Sequence, residues 1–238
     1  MPLETQRSAY WRGVRDGAPF LLVVTPFAML FGVVATEAGL NLVETMAFSI
    51  VVIAGAAQFA AVQLMVDNAP TVVVLASSLA INLRMAMYSA SLTPHLGRAP
   101  LWQRVLVAYF MVDQTYACSI AKYETEPDWG VGQKIAYFFG TMTPICPMWY
   151  AMTLAGALIG SAMPAGLALD FAVPITFIAL IAPMLRTAAH KVAALVAVAV
   201  ALVLAGLPYN LGLILAGMGG MMAGARVEMW LERRGLWS

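Results

Sequence analysis

Long apolar runs separated by short polar clusters organise this chain. The first run covers about residues 18–35, and others follow at about 45–65, 71–92, 101–121, 133–160, 169–185, 192–207 and 211–225. Most approach the ~20 residues that an α-helix needs to cross hydrocarbon. The punctuation between them is polar or helix-breaking: Glu37 and Glu44 bracket one turn, Asp67-Asn68-Ala69-Pro70 forms the next, and a polar stretch from Lys122 to Gly130 forms another. The pattern predicts an all-α polytopic membrane protein with about eight transmembrane helices. Seven spans are possible if Arg98 and Arg104 mark a re-entrant segment. Residues 1–17 then form a cytoplasmic N-terminal segment, 18–225 a single transmembrane domain, and 226–238 a cytoplasmic C-terminal tail.

Proline and glycine modulate these runs. Pro19 and the Thr25-Pro26 pair predict a kink in the first span. The run 133–160 is long for one span and carries Gly140-Thr141-Met142-Thr143-Pro144-Ile145-Cys146-Pro147 at its middle, which predicts a discontinuous or sharply bent helix with free backbone groups. The last run holds Gly212, Gly217, Gly219, Gly220 and Gly224 and allows close backbone contact with a neighbour, either a partner subunit or a second copy. Phe31-Gly32 before Ala38-Gly39-Leu40 resembles Ala155-Gly156 before Ala165-Gly166-Leu167, the kind of internal repeat that transporters carry.

Composition sharpens the membrane reading. Of 238 residues, 62% are hydrophobic and only 11% charged, with a mean hydropathy of +0.83, against about 25% charged in soluble domains. The charges gather at the N-terminus (Arg7, Arg12, Arg15), from Lys122 to Lys134, around Arg186 to Lys191, and at Arg226, Arg233 and Arg234. With eight spans and both termini inside, all of these face the cytoplasm, as the positive-inside rule requires. Arg98 and Arg104 are the exception. A net charge of +1 points to no nucleic-acid partner. The basic start and the apolar run after it resemble a secretory signal, but the length of the run and the spans that follow predict a first helix that stays.

Chemistry concentrates in the third run. At roughly 100° per residue, Ser77, Arg84, Tyr88, Ser91 and His95 share one face, and Ser78, Asn82, Ser89 and Thr93 share another nearly opposite. A helix polar on two sides at membrane depth lies between other helices or beside a water-filled cavity. Arg84 costs about 2.5–3.5 kcal/mol at the centre of a span, and Asp113 in the fourth run a similar amount. Pairing with each other or with a ligand is therefore expected. Two uses fit: an ion pair that staples two helices, or a substrate or ion site. A zwitterionic amino acid presents both complementary charges, with the Arg84 fork suited to its carboxylate and Asp113 to its ammonium. Gln58 adds donors and an acceptor among Ala54, Gly55, Ala57 and Ala61. Beside it, Phe59 offers an apolar wall, and Asn82, Tyr88 and Tyr116 offer further hydrogen bonds. His95, just past Pro94, is a second proton-coupling candidate after Asp113.

Enzyme signatures are missing from the sequence. It has no His-Glu-x-x-His, no Gly-x-Ser-x-Gly and no phosphate-cradling glycine loop, and no cytoplasmic nucleotide-binding domain. Cys118 and Cys146 both fall inside apolar runs, without metal-ligand spacing. No enzyme, cofactor or metal is expected.

Asn82-Leu83-Arg84 followed by Tyr88-Ser89-Ala90-Ser91-Leu92-Thr93-Pro94-His95-Leu96 resembles the signature of the AzlC-type branched-chain amino acid permeases. Gly55-Ala56-Ala57-Gln58-Phe59-Ala60 and Asp113-Gln114-Thr115-Tyr116-Ala117 agree with it, in the family's order. Where the family usually has Glu after that aspartate, Gln114 stands here, so Asp113 is the one intramembrane carboxylate candidate. The resemblance implies a multi-pass protein of the bacterial inner membrane that exports leucine, isoleucine, valine and methionine. It also implies proton driving and a small AzlD-like membrane subunit. A non-transporting scaffold or regulatory subunit is the alternative.

Overall fold

The computed structural model describes residues 5–162, 185, 187–207 and 211–234, and among these every regular element is a helix. The chain divides into two compact units, one made of Met1–Val62 and Ser78–Leu167, the other of Gln63–Ser77 and Ala168–Ser238. In order, the helices are α1 (Gln6–Gly17), joined by a 3-10 turn at Ala18–Phe20 to α2 (Leu21–Glu37), then α3 (Leu42–Val51), α4 (Gly55–Val66), α5 (Thr71–Leu96), α6 (Leu101–Tyr109), α7 (Asp113–Thr125), α8 (Val131–Ala162), α9 (Ala188–Val203) and α10 (Leu211–Arg233). Among the described residues, three stretches are long and apolar enough to cross a membrane as they stand: Gln6–Glu37, Thr71–Leu96 and Val131–Ala162. The predicted run 169–185 lies outside the described residues, apart from Leu185.

The local signals read correctly at the ends of the second run. Gly39 turns the chain out of α2 with φ +93°, a left-handed position that suits a residue without Cβ. Asn41 then caps α3. Its side chain accepts from the Glu44 amide at 2.9 Å, and Glu44 accepts the Asn41 amide at 2.8 Å, a reciprocal capping box. Asn68 takes φ 54° just past α4, within the predicted Asp67-Asn68-Ala69-Pro70 turn, as short polar side chains tolerate.

Discontinuity is present, but elsewhere than predicted. Helix α8 is 32 residues long and runs through Pro144 and Pro147, so the interruption predicted at 140–147 is absent. Two prolines delete only two ladder donors, and backbone packing on α1 and α2 holds the helix along its length. A Cβ added at Gly13 or Gly17 of α1 would run into main-chain atoms of α8 around Tyr137 and Thr141, and one at Gly140 would strike the Tyr10 carbonyl. Higher up, Gly32 and Gly156, the glycines of the suspected repeat, meet one another. A Cβ on Gly32 would strike Thr153 and Ala157, and one on Gly156 would strike Met29. Residues 165–167 of the second copy lie outside the described residues.

The helices that break are those predicted as plain spans. The run 45–65 splits at 52–54 into α3 and α4, and the run 101–121 splits at 110–112 into α6 and α7. The first break falls within four consecutive β-branched residues, Ile50, Val51, Val52 and Ile53, which lose rotamer freedom in a helix. In the second unit, α9 and α10 pack together. Gly212 faces Leu204, while Gly220 and Gly224 face Ala193. These three glycines of the last helix are thus used within the chain, whereas Gly217 has nothing within 4 Å of where its Cβ would be.

Glycine contacts predict a clean contrast. In a helix interior, Gly→Ala gains about 1 kcal/mol of propensity. Gly217→Ala is expected to leave the thermal midpoint of the detergent-solubilised protein unchanged or slightly raised. Gly156→Ala is expected to lower it, because overpacking costs about 1–3 kcal/mol.

Candidate functional site

The polar face predicted for α5 is where the structure concentrates its contacts. Arg84 Nη1 lies 2.9 Å from Asp113 Oδ2, and Tyr88, one turn on, donates to Asp113 Oδ1 at 3.0 Å. Both carboxylate oxygens are therefore engaged. The Tyr88 ring stacks on Tyr116 at a centroid distance of 4.0 Å and 9° between planes, and Tyr116 donates to Ser91 Oγ at 3.0 Å. A turn later His95 Nδ1 sits 3.3 Å from Lys134 Nζ of α8, which is nearly buried and lies over the Tyr123 ring. Arg84, Tyr88, Ser91 and His95 thus form one continuous seam, as their spacing predicts.

Asp113 owes its place to the break before it. It is the first residue of α7, where the helix dipole favours negative charge. Fully buried Thr115 closes the break, accepting the Val112 amide at 3.0 Å and donating to the Val112 carbonyl at 2.9 Å. Tyr109, the last residue of α6, donates its hydroxyl to the Ile50 carbonyl near the end of α3 at 2.7 Å. The two broken helices are therefore tied together beside their breaks. Arg84 and Asp113 are 33% and 42% exposed, so the pair sits at the edge of the packed core rather than sealed within it, and among the described residues Arg84 Nε has no partner.

Gln58 and Phe59 lie in a second cluster, at the start of α4. Gln58 is fully buried, and among the described residues neither its Nε2 nor its Oε1 has a partner. The Phe59 ring packs on Phe27 at 5.0 Å and on Phe31 at 5.5 Å. Phe27 and Trp149 cover Gly55, so closely that a Cβ there would collide with both rings. Val112, next to Asp113, packs against the same Ile145–Trp149 core, which links the two clusters. On the opposite polar face of α5, Asn82 Oδ1 is buried with no partner among the described residues, and Thr93 turns back to the Ser89 carbonyl at 2.8 Å.

The motif reading singled out neither Tyr109 nor Lys134, and gave Thr115 no role of its own. Thr115, two residues after Asp113, carries a local signal, since Ser and Thr near helix starts bond to backbone. Tyr109 carries none, because its partner is 59 residues away in sequence. Thr141 and Thr143, expected to line a break, instead donate to the Phe138 and Phe139 carbonyls of their own helix at 2.7 Å. Among the described residues no group of three or more His, Cys, Asp or Glu is placed to hold a metal ion.

Comparison with known proteins covers this whole region. The family model described as "AzlC protein" matches residues 19–163. The chain is 27% identical over 177 residues to "Inner membrane protein YgaZ" of Escherichia coli (strain K12), covering 71% of each chain. It is 28% identical over 186 residues to an "Uncharacterized membrane protein" of Archaeoglobus fulgidus, covering 76% of this chain and 78% of the relative. No solved structure matches.

Thr115 provides a test of how the second break is held. Thr115→Val keeps the shape and deletes the hydroxyl. It is expected to cost about 0.5–2 kcal/mol, the range for losing a capping hydroxyl, read as a lower thermal midpoint. Thr115→Ser is expected to restore most of the loss.

Proposed function

We propose, from the premise that this chain belongs to the AzlC family, that it is a secondary transporter exporting branched-chain amino acids (leucine, isoleucine, valine and methionine) across the bacterial inner membrane. What carries the reading is the Arg84–Asp113 ion pair, stationed where α7 begins after a helix break and joined by Tyr88. Charged groups at membrane depth mark substrate and ion pathways, and broken helices near such groups are a recurrent transporter device. Substrate binding is assigned to Gln58, Phe59, Asn82, Arg84, Tyr88, Asp113 and Tyr116. The aromatic wall of Phe27, Phe31 and Phe59 suits an aliphatic side chain. One methylene is worth only about 1–3 kcal/mol of discrimination in such a pocket, so several related substrates are accepted.

Proton coupling is assigned to Asp113. Protonation removes the charge that holds Arg84 and weakens the hydrogen bond that Tyr88 donates, so one proton loosens α5 from the start of α7. His95, held against Lys134, is the second candidate. A small AzlD-like membrane subunit completes the transporter.

The same geometry supports a second reading. An ion pair satisfied within the chain also suits a non-transporting scaffold, in which Arg84 and Asp113 only staple α5 to α7. Charge exchange separates the two: the double variant Arg84→Asp/Asp113→Arg is expected to abolish leucine export, and full export by that variant would assign the pair a purely structural role.

The transport reading is tested by flux. In proteoliposomes holding the chain and its small subunit, labelled leucine flux is expected to rise several-fold under an imposed pH gradient. Asp113→Asn is expected to erase that response. Flux indifferent to the gradient in the unaltered protein removes proton coupling, and no flux of any branched-chain amino acid removes the transport assignment.

A further inference from the structure

The four helix ends at the two breaks are not treated alike. The carbonyl end of α3 receives the Tyr109 hydroxyl at Ile50 and the Val52 amide at Phe48. The carbonyl end of α6 receives the Phe110 amide at Leu106. The amino end of α7 is closed by Thr115 and carries Asp113. Among the described residues, the amino end of α4 has no such provision. Its ladder begins with the Gln58 amide on the Ala54 carbonyl, which leaves the amides of Gly55, Ala56 and Ala57 ahead of it. Ile53 and Ala54, the residues before the helix, have no side-chain oxygen to cap them.

A helix start of this kind carries partial positive charge and donors aimed outward. By itself that is ordinary. Gln58 makes it otherwise. Helical side chains lean back over the turn before them, so the carboxamide of this fourth residue of α4 lies over the open turn. It is completely buried there with both polar atoms unused. Leaving a buried amide unpaired is costly, and a bulky aliphatic core residue in its place would carry no such cost.

We infer that the first turn of α4, with Gln58, receives the α-carboxylate of the transported amino acid. The three free amides and Gln58 Nε2 donate to the carboxylate, and Gln58 Oε1 accepts from the ammonium. The Phe27 and Trp149 rings over Gly55, with Phe59 packed on Phe27, border the same turn and meet the aliphatic side chain. The identity of the ligand rests on the transport reading above, but the carboxylate chemistry of the turn does not.

Calorimetry on the purified full-length protein in lipid nanodiscs, with leucine, leucinamide and 4-methylpentanoate, tests the inference. Leucine is expected to bind at least tenfold more tightly than leucinamide, which lacks the carboxylate. Gln58→Glu, which sets a fixed carboxylate at the turn, is expected to reverse that preference. Should Gln58→Glu fail to fold, Gln58→Ala is expected to cut the leucine-to-leucinamide ratio at least fivefold. A ratio that neither folded variant changes overturns the inference and leaves the transport reading intact, as does equal binding of the two ligands by the unaltered protein. Binding of 4-methylpentanoate without leucine upholds the carboxylate site and removes amino-acid transport. Binding of none of the three overturns both.

Discussion

A helix that stops inside hydrocarbon leaves amides and carbonyls that water cannot reach, and each needs a partner from the protein. This chain breaks two helices, at 52–54 and at 110–112, and much of the site follows from how the stranded groups are satisfied. Thr115 folds back onto Val112, and Tyr109 crosses to the Ile50 carbonyl. Because Tyr109 closes one helix while ending another, the two breaks cannot drift apart without exposing a carbonyl. That constraint keeps Asp113 at the head of α7, where Arg84 and Tyr88 meet it.

Around the breaks, α8 supplies the rigid part. Its contacts with α1 and α2 are backbone on backbone at Gly13, Gly17, Gly32, Gly140 and Gly156. Small residues permit such approach in membranes, where packing rather than hydrophobic burial drives association. Buried polar side chains add direction. Trp149 donates to Ser49 at 2.7 Å, and Ser49 pairs with Thr153 at 3.2 Å, which fixes α3 against α8. The half-helices that carry the site therefore rest on an unbroken helix that two prolines do not interrupt.

The site's seam was legible because two strong signals coincide in α5. Charge at membrane depth is expensive, and the 100° period places Arg84, Tyr88, Ser91 and His95 on one line. Their partners on α7 and α8 follow that line turn by turn. The positions of the breaks were not legible. Pro144 and Pro147 are the loudest local signal in the sequence, yet packing overrides them. The break at 52–54 has only a β-branched run to announce it, and its closure depends on a tyrosine 59 residues away. Local reading weighs what a residue does to its own helix. It cannot see the neighbour that makes a break tolerable, nor that Gln58 is buried without a partner.

The seam between α5 and α7 is graded along its length, and this bears on how a charge change would act. At one end lies the ion pair, then the Tyr88 hydroxyl on the same carboxylate, then two stacked rings, then a neutral hydroxyl pair between Tyr116 and Ser91. Only the first two links depend on the charge of Asp113. Hydrogen bonds to an ionised acceptor are about twice as strong as neutral ones, so neutralising Asp113 weakens one end of the seam. Stacked aromatics, worth about 0.5–1.5 kcal/mol beyond their buried area, hold the other. The charge-dependent end is the one next to the 110–112 break, whose Val112 packs on the core that Phe27 and Trp149 share with the first turn of α4.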